Sequence, residues 1–107
     1  MPTVYRIQPA GLEIAGHCSE TSSGEIDCGC HVFLSLAETA RAVRGWMADE
    51  TTPELLTITC DAEDLEDNED YEGMTLVDGA GAIVARRPFR DWAELHAWAA
   101  DYADEDN

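Results

Sequence analysis

The chain has 107 residues, 45% of them hydrophobic, and carries 23 acidic against 6 basic residues for a net charge of −17. This length allows one domain with one modest core, and the apolar content excludes a disordered chain. The charge excludes direct binding to nucleic acid or to an anionic membrane surface, because both carry the same sign.

All six basic residues are arginines. No apolar run reaches the roughly 20 residues of a membrane span, and the first residues lack the charged start and apolar stretch of a secretory leader. The chain therefore reads as cytoplasmic, with its four cysteines as thiols.

In chain order, TVYRIQ (3–8) predicts a first strand, closed by PAG. Residues 16–29 are rich in Gly, Ser and Thr and read as a long loop. CHVFLSL (30–36) reads as a short apolar strand. A helix follows at 36–48: Ser35 and Glu38 form a capping pair, and Leu36, Ala40, Val43 and Met47 recur at helical spacing. ELLTITC (54–60) predicts a strand in which Cys60 takes the place of a small buried hydrophobe. DAEDLEDNEDYE (61–72) has no period and reads as an exposed acidic loop. GMTLVD (73–78) and AIVARRP (82–88) flank DGAG and predict a hairpin. The last helix is expected over 91–102, with Asp91 and Glu94 as its capping pair and 103–107 as a frayed acidic tail. This order predicts a single-domain α+β fold, a mainly antiparallel sheet covered by two helices.

The stretch GHCSETSSGEIDCGCHVF (16–33) gathers His17, Cys18, Cys28, Cys30 and His31. Zinc sites present ligand pairs two to four residues apart with a second pair elsewhere; Cys28 and Cys30 are one residue apart and Cys60 stands alone. No metal is expected. A calcium loop from Asp64 would need glycine at its sixth position, which is Glu69. His17 and Ser19, two apart on an extended segment, face one side, so an imidazole and a hydroxyl can reach one polar ligand.

Taken with VYRI, GCHVFLSLAETARAV and YEGMTLVDGAGAIVARRP, the GHCSE segment resembles the order of blocks in the ADP-ribosyltransferase-like superfamily, closest to its His-type branch. The resemblance implies NAD as cofactor, held by His17 and Ser19. It implies Phe33 stacked on the nicotinamide, or His31 if the register shifts, and Arg6 toward a phosphate. It places the catalytic carboxylate at Glu72, where it would bind ribose hydroxyls and stabilise oxocarbenium-like charge. A second reading is non-catalytic. The chain has the look of small acidic phage inhibitors of the anti-CRISPR or anti-restriction type, which mimic nucleic acid. Asp61, Glu63, Asp64, Glu66, Asp67, Glu69 and Asp70 would then meet the basic surface of a protein or nucleoprotein complex. A third reading takes the acidity as solvation alone.

Overall fold

The fold was determined as a computed structural model that describes residues 2–14, 17–20, 26–46, 50–67, 73–77 and 79–105; for 17–20, 26–29 and 103–105 the description covers the backbone only. Seven strands and two helices are described: β1 (Thr3–Pro9), β2 (His17–Glu20), β3 (Ile26–Val32), α1 (Leu36–Arg44), β4 (Pro53–Thr59), β5 (Leu65–Asp67), β6 (Met74–Val77), β7 (Ala82–Pro88) and α2 (Trp92–Glu105). They form two antiparallel sheets, ordered β1-β4-β7 and β2-β3-β6-β5. The α+β expectation is met, with two small sheets in place of one.

Alternation along the strands explains the layering. Ile7 and its cross-strand partner Leu55 face the helices, joining Ala40, Val43, Leu95, Trp98 and Phe89 in one core. Val4, Leu56 and Ile58 point the other way, into a second core with Cys30, Val32 and Leu76 of the four-stranded sheet. The three-stranded sheet is thus the middle layer. Its central strand β4 is accordingly buried or half-buried at every position, on both faces. The sheets meet at a corner, where Phe33 follows β3 out of its sheet and exchanges two backbone hydrogen bonds of 2.8 Å with Tyr5 of β1.

The helix signals act as expected. Ser35 Oγ accepts from the Glu38 N–H at 3.1 Å, and Asp91 Oδ1 accepts from the Glu94 N–H at 2.9 Å. Helix α1 ends at Arg44, short of the expected 48, because the Gly45 N–H turns back onto the carbonyls of Ala42 and Val43. Helix α2 continues to Glu105, so the expected tail begins inside a helix.

Three expectations are corrected. Within 16–29, residues His17–Glu20 pair with Ile26–Gly29 as a hairpin, not a loop. In the acidic run, Ala62–Asp64 form a 3₁₀ turn and Leu65–Asp67 form an edge strand on β6. Leu65 accounts for this: it is the large hydrophobe of residues 61–67, and it packs on the second core. Residues 68–72 lie outside the described residues. Finally, β6 and β7 are not a hairpin. Between them the chain crosses from one sheet to the other. Gly79 and Gly81 adopt positive φ (82° and 86°), and a Cβ on Gly81 would sit 2.9 Å from Ile58 Cγ2 and 3.0 Å from Leu76 Cδ2. Only glycine lets this crossover lie against the core.

Candidate acidic interface

The six arginines are distributed unevenly. Segments 17–32 and 61–77, which supply all four strands of the outer sheet, contain no arginine, yet they hold three and eight acidic residues respectively. Every arginine belongs to β1, α1, β7 or the segment entering α2. Apart from His17 and His31, every basic side chain of the molecule therefore lies outside this layer, and all six arginines belong to the other two layers.

Within the acidic layer, Asp61, Glu63, Glu66 and Asp67 are exposed, while Asp64 is half-buried. Their backbone is held by regular bonding. The Asp64 N–H donates to the Asp61 carbonyl at 3.0 Å, and β5 is registered on β6 with Glu66 opposite Thr75 and Asp67 opposite Met74. Charges on such a backbone keep fixed positions, and presenting them costs less side-chain and loop ordering than it would on a free loop. The same acids reach inward electrostatically. Burial raises the pKa of the Cys60 thiol, and Asp64 and Asp61 push it the same way, which keeps it protonated and inert at neutral pH. Glu69 and Asp70 lie outside the described residues.

The residues expected to form a nucleotide site are placed as follows. Phe33 is 1% exposed; its ring lies 4.7 Å from that of His31 and 6.2 Å from that of Trp46. Arg6 donates from Nε to Gln8 Oε1 at 3.0 Å and from Nη1 to the His31 carbonyl at 2.9 Å, tying β1 to β3. Burial lowers its pKa, and Cys30 opposes that shift. His17 and Ser19 lie on β2, with His17 opposite Gly29. Phe33 follows four residues further along, about 13 Å at the rise of an extended strand. Glu72 lies outside the described residues; its neighbour Gly73 is at the Phe33 end, where a Cβ would meet the Val32 carbonyl at 2.5 Å and His31 Nε2 at 2.7 Å.

The sequence reading missed a polar cluster at one end of the middle sheet. Glu54 and Gln8 are buried cross-strand partners. Glu54 Oε1 accepts from Arg86 Nη1 at 2.7 Å and from the Gly11 N–H at 3.3 Å. Gln8 Nε2 donates to the carbonyls of Leu12 at 3.2 Å and Glu13 at 2.7 Å. The available signal was a glutamate and a glutamine inside apolar strand patterns, which demand buried partners.

Among the described residues no group of three or more His, Cys, Asp or Glu is arranged to hold a metal ion, and no helix is long and apolar enough to cross a membrane. The chain matches no family model, no curated protein and no solved structure.

Proposed function

We propose that this chain is a binding module whose acidic outer layer docks on the basic surface of a partner protein, of the kind that otherwise holds nucleic acid. The observation that carries this reading is the segregation of charge: the outer sheet has no arginine, and its exposed carboxylates at Asp61, Glu63, Glu66 and Asp67 stand on a 3₁₀ turn and a paired edge strand. Acidity serving only solvation gives no reason to keep every arginine out of one layer, because mixed charges spread over the whole surface keep a protein soluble equally well. The ADP-ribosyltransferase-like reading, with NAD as cofactor, puts Phe33, or His31 in the shifted register, on the nicotinamide. The Phe33 ring is enclosed between His31 and Trp46, whereas His31 is half-buried; the distribution of the arginines is what favours docking.

The test is competition. A purified basic DNA-binding protein is held with labelled duplex DNA, and this chain is titrated in. It should displace the DNA, and displacement should weaken steeply as salt rises, since exposed charges are screened over about 8 Å at physiological ionic strength. The Glu66→Lys, Asp67→Lys variant should associate more slowly while its dissociation changes little. Competition that does not change with salt, or that the variant retains in full, would refute the reading.

A further inference from the structure

The middle and outer sheets do not close on each other at the β6–β7 crossover. They leave an open cleft of about 550 Å³, within the size range of small-molecule sites. Its floor is Cys30 and Leu76, both buried, and its sides include Ile14, Ile83 and Ala80. One wall is held in place. Gln8, itself buried, grips the carbonyls of Leu12 and Glu13, and Arg86 Nη1 donates to the Leu12 carbonyl at 3.0 Å. The opposite wall is the glycine crossover, which Gly81 allows onto Ile58 and Leu76. The cleft is therefore shaped by side-chain hydrogen bonds to the 12–13 backbone and by a special backbone turn.

The charge at the rim is lopsided. Arg86 lines the cleft, but its positive charge is matched by Glu54 at 2.7 Å. Glu13 also lines it, is exposed, and has no ion-pair partner among the described residues. The chain as a whole carries −17. An apolar floor beneath a polar rim on which Glu13 is unpaired among the described residues, in a strongly negative field, suits an apolar cation and repels an apolar anion. We propose that this cleft binds a small hydrophobic amine, its hydrocarbon between Ile14, Leu76 and Ile83 and its ammonium group at Glu13. The site is separate from the acidic face on the 3₁₀ turn and β5, and it would stand if that face bound nothing.

Three ligands of one chain length separate the terms: n-octylammonium, n-octanol and octanoate, each titrated by displacement of the neutral dye N-phenyl-1-naphthylamine. Octylammonium should bind about two- to fivefold more tightly than octanol, the scale of one exposed ion pair, and octanoate should bind least. Glu13→Gln should remove the preference of amine over alcohol while leaving octanol binding unchanged. Because Glu13 is exposed, this variant should keep the wild-type melting curve. Ala80→Phe should abolish binding of all three by filling the cleft, with circular dichroism checking its fold. If Ala80→Phe misfolds, Glu13→Gln decides alone. The proposal is overturned if folded wild type binds no octylammonium at millimolar ligand, if octanoate binds as well as the amine, or if Glu13→Gln keeps the preference.

Discussion

Replacing Leu56 by alanine should destabilise the fold by about 3–5 kcal/mol, enough to remove a large part of the roughly 5–15 kcal/mol that holds a domain of this kind together. Leu56 is 0% exposed and sits near the middle of β4, the central strand of the middle layer, between Arg6 of β1 and Arg86 of β7. Its side chain enters the core that joins the two sheets, beside Val4, Ile58 and Leu76. Strands flank it on both sides and a second sheet covers it, so the surroundings have little freedom to collapse into the space left behind. Urea denaturation should show a lower midpoint with an unchanged slope, the mark of lost stability without a change in the surface exposed. Val84→Ala on the exposed edge strand, at 59% exposure, should move stability by no more than about 0.5 kcal/mol. A Leu56→Ala cost below about 1 kcal/mol would mean that the sheets do not share a packed core.

The second large effect is expected at Glu54 and Arg86. Their side chains are 7% and 34% exposed, and they meet at 2.7 Å. Arg86→Met leaves a buried carboxylate whose remaining donor among the described residues is the Gly11 N–H at 3.3 Å. Stranding a fully buried charge costs about 3–5 kcal/mol, and the partial exposure of Arg86 lets water recover some of it, so a loss of about 1–3 kcal/mol is expected at neutral pH. Adding Glu54→Leu to Arg86→Met should restore stability, because no charge is then left without a partner. The coupling in the double-mutant cycle should be about 1–2 kcal/mol. Strictly additive losses would show that the two side chains do not depend on each other.

How much of this was legible in the sequence depends on the range of the interactions involved. The helices were legible because their signals are local: Ser35 with Glu38 and Asp91 with Glu94 each lie within one turn. Strand β4 was legible because Leu55, Leu56, Thr57, Ile58 and Thr59 form a run rich in apolar and β-branched residues. The hairpin of β2 and β3 was not, since Glu20, Asp27 and Gly29 within its strands have weak strand preference and the pairing makes them a sheet. The crossover from β6 to β7 was misread for a related reason. A turn rich in glycine announces a change of direction but does not say which sheet receives the next strand. In the acidic segment the charge was plain to count, whereas its order rests on Leu65, one hydrophobe whose partner Leu76 is 11 residues away. Phe33 and Arg6 looked available for a ligand in one dimension. In three dimensions a corner between sheets encloses the first, and the second ties β1 to β3.

The central claim is that the acidity is a directed surface, and matched charge reversals test it most directly. Glu63→Lys, Glu66→Lys, Asp67→Lys alters the outer face, and Glu50→Lys, Glu94→Lys, Asp101→Lys alters exposed acids elsewhere on the molecule. Both sets change the net charge equally. Titration calorimetry with a deca-arginine peptide at physiological salt should show affinity falling about ten- to hundredfold for the outer-face set and no more than about threefold for the other, given up to about 1 kcal/mol for each exposed charge pair. Equal losses from the two sets would show that net charge alone attracts the peptide, and would contradict a dedicated acidic face.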